Sequence, residues 1–143
     1  MRINDVLRDK PRQGVVTVPP DATVRQLIAL LAEHNVGALI VSSDGTTVEG
    51  IVSERDVVRQ LHEGESVLEA TVSSIMTTEV QTCEGSSAVT DLMQVMTEHR
   101  VRHVPVLTDG RLTGIISIGD VVKSRIDELE FERDQLDHYL HQT

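Results

Sequence analysis

The sequence predicts an α/β (α+β) fold of two tandem β-α-β-β-α units packed pseudo-symmetrically and followed by a C-terminal helix. Three observations predict it. The stretch G-I-V-S-E-R-D-V-V from Gly50 to Val58 returns as G-I-I-S-I-G-D-V-V from Gly114 to Val122, sixty-four residues later. The runs from Thr17 to His34 and from Thr82 to His99 echo each other at a displacement of sixty-five. The one-residue change in spacing falls between Val41 and Gly50 in the first copy and between Val106 and Gly114 in the second, where a turn absorbs it. A repeat of this length denotes two stacked supersecondary units.

In the first unit, Val15 to Val18 is a short apolar strand stopped by Pro19 and Pro20. Asp21 or Thr23 then caps a helix in which Val24, Leu27, Ile28 and Leu31 keep the helical period, and which ends near Asn35 and Gly37. Ala38 to Val41 is a buried strand, Ser43-Asp44-Gly45 a hairpin turn and Val48 to Val52 the returning strand. Ser53 caps a second helix from Glu54 to about His62.

The second unit repeats the plan. A strand runs from Val80 to Cys83, a helix from Ser87 to His99, a strand from His103 to Leu107, a turn over Thr108-Asp109-Gly110 and a strand from Leu112 to Ile116. Ser117 caps a helix beginning near Gly119. The domain reading is residues 1–62 for the first repeat, 63–74 for a polar crossover, 75–125 for the second repeat and 126–143 for a helical tail. The expected core includes Leu27, Ile28, Leu39, Ile51, Leu92, Met93, Val104 and Ile115. In the tail, Ile126, Leu129, Leu136 and Leu140 form a near-heptad stripe that calls for a partner helix.

Composition excludes several function classes. A net charge of −10 argues against nucleic-acid binding, which needs a surplus of Lys and Arg on one face. Phe131 and Tyr139, both near the C-terminus, are the aromatics, so no platform exists for stacking single-stranded bases. No apolar run approaches membrane-spanning length, and the start lacks the apolar core and cleavage site of a secretory signal, so a cytoplasmic, non-membrane protein is expected. Cys83 is the one cysteine and reads as a small buried hydrophobe before a reactive thiol.

The pattern G-h-x-[ST]-x-x-D, with h apolar, occurs twice at strand-to-helix junctions inside the repeat, and H-R-V-R-H-V-P-V at His99 to Val106 precedes the second copy. This resembles the cystathionine-β-synthase (CBS) domain, and two copies in tandem resemble a Bateman module of the stand-alone bacterial two-CBS type. The resemblance runs from Asp5-Val6-Leu7 through Val122, and the tail resembles the C-terminal helix of many such proteins.

The resemblance implies adenine-nucleotide binding in clefts between the repeats, with AMP as the first expectation and ATP, ADP, NAD or S-adenosylmethionine as further ones. It implies that Asp56 and Asp120 accept hydrogen bonds from the ribose hydroxyls and that Ser53 and Ser117 lie near ribose and phosphate. Adenine would be held along Val15, Val16 and Thr17 in one repeat and Glu79, Val80 and Gln81 in the other, with Ala38 and Pro105 on the strands that follow. Arg102 and His103 would contact phosphate, and the first repeat has Gly37 and Ala38 in their place. The cleft built on Asp56 would receive Arg102 and be the tighter site.

The chemistry is compatible. A carboxylate accepts both hydroxyls of a vicinal diol, and the first turn of a helix keeps it ionised. The same helix start favours phosphate, and the planar fork of Arg102 suits phosphate oxygens. Each residue also has a plainer reading. Asp56 and Asp120 can be carboxylates that complement the helix dipole, Ser53 and Ser117 simple caps, and Arg55 and Arg102 solvated surface cations.

No catalytic cofactor and no catalytic residue is expected. The six histidines are dispersed, and no zinc-ligand pair, nucleophile elbow, phosphate-binding loop or dinucleotide fingerprint occurs. His138, His141 and Asp134 could at most share a helix face as a weak metal site. The expectation is a non-catalytic, homodimeric nucleotide sensor acting on a regulated protein that the sequence does not name. The alternatives are a structural adaptor with vestigial clefts and a small nucleotide-processing enzyme.

Overall fold

A computed structural model describes residues 1–10 and 14–141. The elements are α1 (Ile3–Arg8), β1 (Thr17–Val18), α2 (Val24–His34), β2 (Ala38–Val41), β3 (Gly50–Ser53), α3 (Glu54–Leu61), β4 (Cys83–Glu84), α4 (Val89–His99), β5 (His103–Thr108), β6 (Arg111–Ser117) and α5 (Ile118–Leu140). Two 3₁₀ turns, Glu65–Glu69 and Val72–Ser74, lie between α3 and β4. Each repeat forms a three-stranded sheet, β1-β2-β3 and β4-β5-β6, whose middle strand is parallel to the first and antiparallel to the third.

Local chemistry sets the boundaries. Thr23, not Asp21, caps α2: its Oγ1 accepts from the Gln26 amide at 3.1 Å while the Gln26 side chain accepts from the Thr23 amide at 2.9 Å. Asn35 ends the helix in the left-handed conformation at φ 51°. The first strands are shorter than the apolar runs suggest. Thr77 bridges to Ile51 in the first sheet and Cys83 joins the second, so Glu79, Val80 and Gln81 span the gap between sheets instead of pairing. In the first repeat β1 likewise keeps only Thr17 and Val18.

The two cores do not follow chain order. One cluster joins Val18, Leu27, Leu39 and Val52 to Val72, with Ile75 and Met76 packed against it. The other joins Leu92, Val104, Val106 and Ile116 to Ile3 and Val6 of α1, with Leu7 packed against it. Thus α1, which the sequence reading leaves without a helix, completes the second repeat, and the turn before Met76 completes the first. Glycine permits both close approaches. A Cβ on Gly50 would lie 2.6 Å from Met76 Sδ, and one on Gly114 would lie 2.8 Å from Leu7 Cδ1.

Four expected core residues differ. In β3, Gly50 and Val52 point inward, which puts Ile51 on the opposite, half-buried face; in β6, Gly114 and Ile116 do the same to Ile115. Met93 is half-buried and Ile28 is 37% exposed at the rim of the α2 stripe, while Leu27, Leu39, Leu92 and Val104 are buried as expected. The helix after Ser117 and the tail helix are one continuous α5. No helix among the described residues is long and apolar enough to cross a membrane.

Candidate functional site

The two motif copies build the same corner twice. Ser53 caps α3 and Ser117 caps α5, each with the motif aspartate closing a reciprocal cap. Asp56 Oδ2 accepts from the Ser53 amide at 2.8 Å and from its hydroxyl at 3.1 Å, and Asp120 Oδ2 accepts from the Ser117 amide at 2.9 Å. A second bond ties each helix start to the preceding strand. The Glu54 amide donates to the Gly37 carbonyl at 3.0 Å and the Ile118 amide to the Arg102 carbonyl at 2.8 Å. The plain reading of these residues as caps is therefore true of both copies. In the Asp56 corner the cap uses Oδ2, which leaves Oδ1 to accept from a ligand.

The corners differ in the space beside them. Asp56 opens onto a cavity of about 280 Å³. Ser53, Glu54 and Arg55 form one wall, Thr77 and Glu79 to Gln81 a second, and Arg100 to His103 a third, with Gly37, Ala38 and Ile51 between them. The structure thus brings together Ala38, Ser53, Arg55, Asp56, Glu79, Val80, Gln81, Arg102 and His103. Arg102 comes to Asp56 from the other repeat.

Asp120 faces a cavity of about 80 Å³ lined also by Lys10 and Lys123. Lys10 Nζ lies 3.0 Å from Asp120 Oδ2. This supplies a cation that the sequence reading leaves out of the Asp120 cleft. Burial pushes the Asp120 carboxyl up, but the Ser117 amide and the Lys10 ammonium outweigh it and hold the pKa below the usual carboxylate value. Val15, Val16, Thr17, Pro105 and Ser117 line neither cavity. Val16 packs against the first core and Thr17 pairs with Ile40 in the first sheet. Pro105 is buried in β5 opposite Ile115, with its carbonyl accepting from Cys83 Sγ at 3.7 Å.

His103 stands between the two corners. Burial lowers its imidazole pKa; the carboxylates of Asp120 and Glu54 oppose this, and the cations of Lys10 and Arg102 reinforce it. Burial also raises the Cys83 thiol to about 11, consistent with a packed rather than a reactive sulfur. Among the described residues no three His, Cys, Asp or Glu side chains converge as a metal site requires. The residues that sequence reasoning misses in the Asp56 cleft are Gly37, Ile51, Glu54, Thr77, Arg100 and Val101. Only Arg100 carried a signal, as the first arginine of the R-V-R-H run.

Comparison with known proteins agrees with this architecture. The family model for the CBS domain matches residues 3–63 and 72–127. The mitochondrial CBS domain-containing protein CBSX3 of Arabidopsis thaliana is 35% identical over 146 residues, covering 96% of this chain and 71% of that protein. The crystal structure of a CBS-domain protein from Agrobacterium tumefaciens has a TM-score of 0.81 at 43% identity, covering 87% of this chain and 99% of that one. A CBS domain pair crystallised with 5′-methylthioadenosine and S-adenosyl-L-methionine shares the fold at 22% identity and a TM-score of 0.76, covering 86% of this chain and 98% of that one. Two matched copies, two sheets and two capped aspartate corners make the chain a member of the CBS-domain family, in the form of a tandem CBS pair.

Proposed function

We propose that this CBS pair is a non-catalytic regulatory module that binds an adenine nucleotide in the Asp56 cleft and passes the change in repeat packing to a protein partner. The single observation that carries the reading is the convergence, on one cavity, of Asp56 and Ser53 from one repeat with Arg102 and His103 from the other. Asp56 Oδ1 accepts from the ribose diol, Glu79 to Gln81 offer backbone to the base, and Arg102 meets phosphate. A ligand held by both repeats favours one arrangement of them, and a partner that prefers that arrangement reads occupancy as affinity. The adenosine-containing ligands of the related CBS pair support the same chemical class.

A homodimer belongs to the same reading. Val58 and Leu61 on α3 and Ile118, Val122, Ile126 and Leu129 on α5 are exposed apolar residues, and a second copy would bury them. Light scattering at micromolar concentration tests this, and a monomer would refute it.

The test of nucleotide binding is thermal unfolding with AMP, ADP, ATP, NAD and S-adenosylmethionine, beside native mass spectrometry of the purified protein. A ligand at 100 times its Kd adds about 2.7 kcal/mol, and at the same concentration Asp56→Ala should cut that gain to about 0.4–1.4 kcal/mol. No shift with any of the five compounds would refute the reading.

A further inference from the structure

The Asp56 cleft contains a cation for which a one-phosphate ligand has no use. Arg100 follows α4 with its backbone in the left-handed region, φ 54° and ψ 42°, and its side chain is exposed and lines the cleft beside Arg55 and Arg102. Side chains other than Asn and Asp adopt this conformation reluctantly. The equivalent position in the first repeat holds Asn35, at φ 51°. The turn itself therefore suits asparagine, and arginine at the same turn points to a demand on its side chain.

A second observation is independent of the backbone. Among the described residues, Arg55, Arg100 and Arg102 make no ion pair and no side-chain hydrogen bond; Arg59 and Arg111 share that state, but only these three line one cavity, while Arg8, Arg25, Arg125 and Arg133 are each paired with a carboxylate. Glu54, Asp56 and Glu79 line the same cleft without pairing with the three guanidiniums. In a chain of net charge −10, three unpaired arginines on one cavity form an anion-binding surface larger than one phosphate requires. Val101 packs against the second core between Arg100 and Arg102, which anchors the segment that carries both arginines.

We propose that Arg100 determines specificity in this cleft by binding the outer phosphates of a nucleoside di- or triphosphate, while Arg102 takes the phosphate next to the ribose. The cleft then prefers ATP or ADP to AMP and adenosine. This rests on the reading of the Asp56 cleft as an adenine-nucleotide site. Each added phosphate brings charged oxygens that a guanidinium fork holds with paired hydrogen bonds, a geometry that lysine does not offer.

The test is titration calorimetry of the intact protein with adenosine, AMP, ADP and ATP, on the wild type and on Arg100→Asn. Asparagine suits the left-handed turn, so the variant should melt no lower than the wild type. The wild type should bind ATP roughly tenfold tighter than AMP, and Arg100→Asn should remove that preference while keeping AMP within about twofold. Equal losses for AMP, ADP and ATP, or a loss accompanied by a lower melting temperature, would make Arg100 structural and overturn the proposal. If AMP binds through Asp56 and ATP binds no better, the proposal falls while the nucleotide reading stands. If none of the four compounds binds, or binding ignores Asp56→Ala, both fall.

Discussion

Lys10 Nζ lies 3.0 Å from Asp120 Oδ2 and also donates to the Ile115 carbonyl at 2.9 Å, so the chain's own ammonium holds the second motif carboxylate. Its pseudo-symmetric mate Asp56 forms no such ion pair among the described residues. One nucleotide per chain is the expected stoichiometry. Asp56→Ala should weaken binding roughly ten- to a hundredfold, whereas Asp120→Ala should change it about twofold or less. Calorimetry with two equal sites per chain would contradict this.

Arg102→Ala should weaken AMP, ADP and ATP while sparing adenosine, because its proposed contact is confined to phosphate. Side-by-side titrations with adenosine and AMP check it. Equal losses for the two would reassign Arg102 to a structural role.

Asp120 predicts an acid limb in stability. Its folded pKa is below the ordinary 3.8, so its contribution is present above that value and is lost as pH falls through the lower folded one. Asp120→Asn and Lys10→Met should each flatten the acid limb in chemical denaturation followed as a function of pH. An unchanged limb in both variants would show that the pair does not stabilise the fold.

His103 predicts the opposite partner for a proton. Because burial lowers its pKa below the ordinary 6.5, the unfolded chain binds more protons just under that pH, and stability rises as pH climbs toward it. A phosphate placed beside Arg102 would raise the imidazole pKa, with Asp120 and Glu54 already favouring the cation. Nucleotide binding at about pH 6 should then take up protons. Calorimetry in buffers of different ionisation enthalpy measures the uptake, and His103→Gln should abolish it.

Core truncation should follow the strand faces. Leu92→Ala and Ile116→Ala remove fully buried side chains and should each cost about 2–5 kcal/mol in urea unfolding. Ile115→Ala, on the half-buried face, should cost less than Ile116→Ala. The reverse order would mean that the β6 register is wrong.

The repeat made most of this architecture legible, because two copies of one pattern constrain each other: strand, capped helix and hairpin recur at matched residues, and both caps were written as Ser with Asp three positions on. Face assignment within a strand was harder. Ile51-Val52 and Ile115-Ile116 are adjacent apolar pairs with a polar residue on one side, so hydropathy does not say which member faces inward. The Asp56 cleft was partly legible, since motif residues from both repeats meet there. Lys10 was not, and Arg100 showed only as part of the R-V-R-H run: each takes its place through tertiary position, one after a short helix that joins the distant repeat, the other through the handedness of a helix end.

The exchange of leading segments between the cores gives the two repeats different histories during synthesis. Everything in the first core, from Val16 to Met76, is contiguous, so it can close as soon as Met76 has left the ribosome. The second core needs Ile3 and Val6 together with Val121, which is made more than a hundred residues after them. Helix α1 must therefore wait, unburied, through the translation of more than a hundred residues, and the Asp56 cleft, which needs both repeats, cannot take its final shape before the second core closes.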